Sequence, residues 1–105
     1  MKYYLSGAIT RQPDFKEYFK KYENELRNRG IADIYNPAGF DLLKASWEAY
    51  MKFDIQVLLR CGCLVLLPNW RKSRGAKVEI YLCKKLGIRV VKFHDLLREL
   101  ARNAA

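Results

Sequence analysis

The feature that most constrains the fold is an uninterrupted apolar run at residues 63–67 (CLVLL) in the middle of the chain. Five consecutive apolar residues are typical of a short strand that is covered on both of its faces. Parallel sheets are covered in this way, because the helices that connect their strands pack on both sides. The run therefore predicts a parallel sheet with a layer of helices on each face.

The apolar pattern alternates between strand-like and helix-like segments along the whole chain. Strands are predicted at residues 2–9, 31–35, 63–67 and 88–93. The first helix is predicted from Pro13 to Gly30, and the second from an N-cap at Ser46 to about residue 60. The third is predicted over 74–86 before Gly87, and the fourth from a cap at Asp95 to about residue 103. Residues 39–45 are predicted to form a connection. The sequence thus predicts one α/β domain over residues 1–105, a small doubly wound (Rossmann- or flavodoxin-like) parallel sheet of about four strands flanked by helices.

Ligands of doubly wound sheets bind beyond the carboxyl ends of the strands, which here points to the loops at residues 6–11, 36–39 and 68–75. The candidate ligand-binding residues in these loops include Arg11, Asn36, Ser73, Arg74 and Gly75. The last three open the third helix, where unpaired backbone N–H groups favour an anion. Ser73 and Gly75 can equally well serve only to start the helix, without binding a ligand. Arg11 can also be a solvated charge in a loop.

Two carboxylates lie on apolar helix stripes. Asp54 shares its stripe with Met51 and Leu58, and Glu79 shares its stripe with Ala76 and Cys83. Sequences usually keep unpaired carboxylates off core faces, because burying one is expensive. Two carboxylates at one cleft are what cleavage of a glycosidic bond requires. The structural alternative is that Asp54 pairs with a Lys or Arg and that Glu79 lies at the edge of its stripe.

The charge of the chain favours anionic partners. The chain contains twenty Lys and Arg residues and eleven Asp and Glu residues, which gives a formal net charge of +9. Neither G-x-x-x-x-G-K-[ST] nor G-x-G-x-x-G occurs, so ATP hydrolysis and dinucleotide binding are poorly supported. Zinc-finger spacing and the aromatic motif of RNA-binding sheets are also lacking. A solvated basic surface without a specific partner is the structural alternative, and nucleic acid is a possible but less favoured partner.

The three cysteines, Cys61, Cys63 and Cys83, do not form a C-x-x-C motif. We expect buried free thiols, no metal site, and a reducing, cytoplasmic compartment. The longest apolar run is far shorter than a membrane span, and the N-terminus lacks the apolar core of a cleaved secretion signal. We therefore expect no membrane association.

Four segments taken together, YLSGAIT, NPA, WEAYMKFDIQVLLRC and LLPNWRKSRGAKVEIYLCKKLGI, resemble the nucleoside 2-deoxyribosyltransferase superfamily. The resemblance covers residues 3–92 and is greatest to a small uncharacterised branch of bacterial and phage proteins. It implies a deoxyribosyltransferase or a deoxynucleoside 5′-monophosphate N-glycosidase, commonly a homodimer or higher oligomer. No cofactor is expected, because carboxylates alone can stabilise the transition state.

The resemblance also implies a role for individual residues. Glu79 corresponds to the glutamate that attacks C1′ of the deoxyribose, Asp54 to an aspartate that assists in the same pocket, and Tyr3 to an aromatic residue that orients the glutamate. Gly7 corresponds to the glycine that lets the chain pass close to the ligand. Ala8 stands where phosphate-accepting members tend to carry serine, which weakens the case for a 5′-phosphate substrate.

The loop after the third strand has its own counterparts in the superfamily. Ser73 and Gly75 correspond to the loop that meets the 5′ end of the sugar or its phosphate. Arg11 and Arg74 can compensate for the missing serine. Trp70 is positioned in sequence to stack on a base or to lie at an oligomer interface.

Three functions remain open from the sequence. The first is an enzyme that cleaves or transfers an N-glycosidic bond. The second is a nucleotide-binding module without turnover, such as a sensor or a sequestering protein. The third is a nucleic-acid-associated protein that uses the basic surface, whose binding would fall steeply with salt.

Overall fold

The computed structural model describes residues 1–39 and 46–104, which form a parallel sheet with helices on both faces. Within these residues the strands are β1 (Tyr3–Ser6), β2 (Ile34–Tyr35), β3 (Cys63–Leu66) and β4 (Arg89–Lys92), in the spatial order β2-β1-β3-β4. The helices are α1 (Phe15–Asn28), α2 (Trp47–Leu58), α3 (Arg74–Leu86) and α4 (Phe93–Asn103), with 3₁₀ turns at Pro37–Gly39 and Trp70–Lys72. The predicted α/β class with a four-stranded parallel sheet is confirmed.

The alternation of side chains along β3 divides the core into two layers. All four residues of β3 are buried, as the apolar run predicts. Cys63 and Val65 face the layer that contains α1 and α4, whereas Leu64 and Leu66 face the layer that contains α2 and α3. Each strand therefore presents every second residue to one pair of helices, and β1 follows the same rule in register with β3.

Several predicted boundaries differ from the structure. β1 ends at Ser6 rather than residue 9, because the chain turns away after Ser6 accepts a hydrogen bond from the Leu67 N–H at 2.8 Å. β2 begins at Ile34 and α1 at Phe15, each later than predicted, and α4 begins earlier, at the buried Phe93. The bounds of α3 match, and Gly87 ends that helix with a φ of 72°. Of the predicted connection at 39–45, residues 40–45 lie outside the described residues.

One side chain joins the loops that follow β1 and β3. Asn69 accepts a hydrogen bond from the Ala8 N–H at 3.0 Å and donates one to the Ala8 carbonyl oxygen at 3.5 Å. Gly7 lies directly against this contact: a Cβ there would be 2.7 Å from Asn69 Oδ1 and 3.2 Å from Leu67 Cβ and from Phe19 Cζ. The close approach of the two loops at this edge of the sheet therefore requires glycine at residue 7.

We expect Gly7→Ala to lower the free energy of unfolding by about 1–3 kcal/mol, because the added methyl group displaces the Asn69 amide and crowds the packed side chains of Leu67 and Phe19. Chemical denaturation measures the change. Gly39→Ala is the matched control, since a Cβ there meets no described atom within 4 Å, and it should alter stability by less than about 0.5 kcal/mol. Equal effects of the two substitutions would contradict the packing role of Gly7.

Candidate functional site

Glu79 lies in the second turn of α3 and is almost fully enclosed, with 5% of its surface exposed. The helix starts one turn earlier, where the Ser73 hydroxyl oxygen accepts a hydrogen bond from the Ala76 N–H at 3.0 Å. The Ser6 hydroxyl donates to Glu79 Oε1 at 2.8 Å, and the Tyr4 hydroxyl donates to Glu79 Oε2. Glu79 thus lies inside the core rather than at the edge of the apolar stripe, and each carboxylate oxygen accepts one hydroxyl donor.

The partner of Glu79 in β1 is Tyr4 and not Tyr3. Side chains alternate along a strand, so Tyr4 and Ser6 point to the layer of α2 and α3, which contains Glu79. Tyr3 points to the opposite layer and packs with the cluster that includes Leu5 and Phe19. The expectation that Tyr3 orients the glutamate was wrong by one residue, which in a strand places the side chain on the other face.

Asp54 lies half-buried on α2 and is linked to Glu79 through two tyrosine rings. The Tyr35 hydroxyl donates to Asp54 Oδ1 at 3.1 Å, and the Tyr35 ring centroid lies 5.3 Å from that of Tyr4. Within residues 1–39 and 46–104, Asp54 takes part in no salt bridge. Its partner among these residues is therefore a hydroxyl and not the Lys or Arg of the structural alternative.

Burial shifts the ionisation of both carboxyl groups toward neutral pH. Burial raises the pKa of Glu79 to about 7; the hydrogen bonds from Tyr4 and Ser6 act against this rise, and the charge of Asp54 adds to it. Burial also raises the pKa of Asp54 to about 6, opposed by the bond from Tyr35. The pKa values of Tyr4 and Tyr35 are raised above 10, first by burial, so both hydroxyls remain donors. Perturbed carboxyl groups of this kind are common at catalytic sites.

Three of the predicted ligand-binding residues are already engaged with the protein. The backbone N–H and carbonyl of Ala8 both bond to Asn69, and Gly7 packs against the same side chain. Asn36 donates from Nδ2 to Glu23 Oε1 at 3.0 Å and accepts at Oδ1 from the Ala38 N–H at 2.9 Å. These bonds hold the loop after β2 against α1.

The start of α3 packs against α2. A Cβ on Gly75 would be 3.0 Å from Met51 Sδ, so glycine allows this helix contact. The Arg74 guanidinium lies 3.7 Å from the ring centroid of Trp47, a cation–π contact. Ser73 caps the helix as described above, and Arg11 lies in the exposed turn after β1 with a φ of 61°. Trp70 is partly buried against the α2–α3 layer, 5.1 Å from the Arg71 guanidinium.

The contacts of the site involve four residues that the sequence analysis did not single out: Tyr4, Ser6, Tyr35 and Asn69. For Tyr4 and Ser6 the signal was available. If the apolar Leu5 faces one layer, the residues on either side of it must face the other. No comparable signal in the sequence points to Tyr35 or Asn69.

Cys61, Cys63 and Cys83 are buried and free, as predicted, and burial raises the pKa of each thiol. Among residues 1–39 and 46–104, no three His, Cys, Asp or Glu side chains are grouped so that they could hold a metal ion. In the same part of the chain, no helix has the length and apolar character needed to cross a membrane.

Comparison with known proteins gives one family match. The model of a family described as a domain of unknown function (DUF4406) matches residues 1–92. No curated protein matches the chain. The matched region includes the four strands and α1 to α3, and hence every residue of the carboxylate site.

The raised pKa of Glu79 predicts that stability falls as the pH rises. The folded protein holds this proton more tightly than the unfolded chain, so the contribution is full below about pH 4.5 and is lost as the pH rises through about 7. The loss is at most about 3 kcal/mol. Chemical denaturation from pH 4.5 to 8 should show this decline in the wild-type protein and a shallower one in Glu79→Gln.

The exposed Glu25 on α1 gives the matched control for that experiment. Glu25→Gln removes the same charge without removing a buried group, so its stability profile should run parallel to that of the wild type. Parallel profiles for all three proteins would contradict the perturbed ionisation of Glu79.

The hydrogen bond from Tyr4 favours the ionised form of Glu79. We therefore expect Tyr4→Phe to raise the pKa of Glu79 by a further one to two pH units, roughly the effect of one bond to a charged group. Tyr3→Phe, one residue away but on the opposite face, should leave this pKa unchanged. A carbon-13 NMR titration of the labelled carboxyl group distinguishes the two variants, and a shift in Tyr3→Phe alone would reverse the assignment.

Proposed function

This chain belongs to the DUF4406 family, and we propose that it cleaves or transfers the N-glycosidic bond of a deoxynucleoside or its 5′-monophosphate. The observation that carries the proposal is the enclosed carboxylate of Glu79, held by the Tyr4 and Ser6 hydroxyls with Asp54 nearby. Such a pair of carboxyl groups suits a reaction with an oxocarbenium-like transition state. The resemblance to nucleoside 2-deoxyribosyltransferases supports the same substrate class.

In this proposal Glu79 is the nucleophile. Its ionised carboxylate attacks C1′ of the deoxyribose, the bond from C1′ to the base nitrogen breaks, and the bonding electron pair leaves with the base. The hydroxyls of Tyr4 and Ser6 hold the carboxylate in one orientation and favour its charged form. Burial raises the pKa of Glu79 to about 7 and so acts against this charged form, while the two hydroxyl donors keep a share of Glu79 ionised at neutral pH.

Asp54 is the second participant in the reaction. It is more exposed than Glu79, and its raised pKa of about 6 lies below that of Glu79. The reactive arrangement, with Glu79 ionised and Asp54 protonated, is therefore the less populated of the two singly protonated forms. Asp54 donates this proton to the departing base nitrogen. Water then displaces Glu79 from C1′ in a hydrolase, and a second base does so in a transferase; Asp54 removes the proton of the incoming group.

The start of α3 is the proposed contact for the 5′ end of the sugar. Ser73, Arg74 and Gly75 lie one turn before Glu79, and the Arg74 guanidinium is held on the Trp47 ring. Because Asn69 already bonds the backbone of Ala8, a 5′-phosphate would be bound by the side chains of Arg74 and Arg11 rather than by the Ala8 backbone. We also propose a homodimer or higher oligomer, and a reducing compartment such as the cytoplasm for the three free thiols.

The test is to incubate the pure protein with a panel of deoxynucleosides and their 5′-monophosphates and to separate the products by chromatography. We expect the wild type to release free base. Glu79→Ala should lower the rate by at least about 10³-fold because the nucleophile is lost, and Asp54→Asn by about 10²-fold or more. Glu25→Ala, at an exposed carboxylate of α1, should retain full activity.

The outcomes separate catalysis from binding. Thermal unfolding confirms that each variant is folded. Base release by folded Glu79→Ala at the wild-type rate would contradict the role of Glu79. If no base is released, even with a second base as acceptor, but intact nucleotide is bound, the protein is a nucleotide-binding module and not an enzyme.

A further inference from the structure

The positive charge of the chain is concentrated in one part of the molecule. Residues 55–92 contain nine Lys and Arg, all exposed, and one acidic residue, the buried Glu79. The remainder of the chain contains eleven basic and ten acidic residues and is nearly neutral. The net charge of +9 therefore arises almost entirely from the segment that runs from the end of α2 to the end of β4.

The outward face of α3 presents much of this charge as one stripe. Arg74, Lys77, Tyr81, Lys84 and Lys85 recur at helical spacing and are all exposed. From Arg74 to Lys85 the stripe is about 16 Å long, a length over which one nucleic-acid strand presents several phosphates. Tyr81 is 61% exposed in the middle of the stripe, with Lys85 Nζ 5.6 Å from its ring centroid.

A shallow concavity of about 540 Å³ lies at the first turns of α3. Among the described residues, its lining side chains are cationic, aromatic or apolar. The lining consists of Lys72, Arg74, Lys77, Val78 and Tyr81. A second concavity, of about 570 Å³, lies beside α1 and includes two glutamates among its lysines. The two concavities are similar in size and both contain lysines. They differ in charge, because carboxylates that can neutralise the cations line only the second.

Ion pairs show the same contrast. On α1, Lys20 lies 3.7 Å from Glu23 and Arg29 lies 3.2 Å from Glu25. In the part of the chain that the structure describes, Lys77 and Lys84 take part in no ion pair. The face of α3 therefore keeps its positive potential. On α1, which lies on the other side of the sheet, neighbouring glutamates neutralise part of the positive charge.

From these observations we propose that the outward face of α3, with the adjoining Trp70–Lys72 turn, binds single-stranded nucleic acid. The cations bind successive phosphates, and Tyr81 offers an exposed ring on which a base can stack. Aromatic rings among the cations distinguish this face from a purely electrostatic surface for duplex or membrane. Arg74 is shared with the proposed contact for a 5′-phosphate, whereas the other cations and Tyr81 lie outside the carboxylate site, and this binding does not depend on Glu79.

The first experiment is fluorescence anisotropy of the full-length protein with a labelled oligodeoxythymidine of about 15 nucleotides. With five cations in contact, namely Lys72, Arg74, Lys77, Lys84 and Lys85, we expect the slope of log K against log salt to be about −3.5, so that affinity falls about 100-fold between 50 and 200 mM salt. Replacing Lys77, Lys84 and Lys85 together by Gln should reduce the slope to about −1.4.

The matched control replaces Lys20 and Lys21 of α1, and Arg29 directly after that helix, by Gln, which removes the same net charge from the opposite side of the sheet. Its slope should equal that of the wild type. Equal losses in the two triple variants would show that net charge alone attracts the strand, which would overturn the assignment to α3. Absence of binding at 50 mM salt would overturn it as well.

Tyr81 provides a test that charge alone cannot imitate. Tyr81→Ala should weaken binding about 10-fold, whereas Tyr81→Phe, which keeps the ring, should bind as the wild type does. Tyr81 is exposed, so neither substitution alters the core, and thermal unfolding confirms the fold of each variant. Tighter binding to a duplex of the same length, or binding to vesicles of anionic phospholipid in place of the oligonucleotide, would replace the proposal with a duplex or a membrane surface.

Discussion

Burying the carboxyl group of Glu79 between the sheet and α3 carries a large desolvation cost, and two hydroxyls of β1 offset part of it. Tyr4 and Ser6 can both reach Glu79 because they are two residues apart and share one face of the strand. Their register against β3 is fixed, with Tyr4 beside Leu64 and Ser6 beside Leu66. A slip of one residue would turn both hydroxyls away and leave the carboxylate without donors, so the sheet register and the site depend on each other.

The two carboxyl groups differ in environment although both sit on helices of the same layer. Glu79 accepts two hydroxyl donors and is nearly inaccessible, whereas Asp54 accepts one bond from Tyr35 and keeps part of its surface in contact with solvent. The packed rings of Tyr4 and Tyr35 connect them. Of the two carboxyl groups, the more open Asp54 can exchange protons with solvent directly, whereas Glu79 is enclosed by protein.

The sequence predicted the layered fold well, because β3 is apolar on both faces and Gly87 marks the end of α3 without ambiguity. It also singled out Glu79 and Asp54 as carboxylates on apolar stripes, and the structure shows that the first is buried and the second half-buried. The prediction failed for Tyr3. The family resemblance assigned the orienting role to Tyr3, but the neighbouring Tyr4 is the residue on the strand face that reaches α3. Tyr35 and Asn69 could not be predicted, because their contacts join loops and helices that are distant in the chain. Local periodicity contains no information about such pairings.

The near-neutral pKa of Glu79 has a further consequence for the resting protein. Near neutral pH the protein is therefore distributed between two protonation states of Glu79 that differ by one unit of charge. A ligand that binds only one of these states loses apparent affinity in proportion to the share of molecules in the other state. Binding of such a ligand is coupled to the uptake or release of protons.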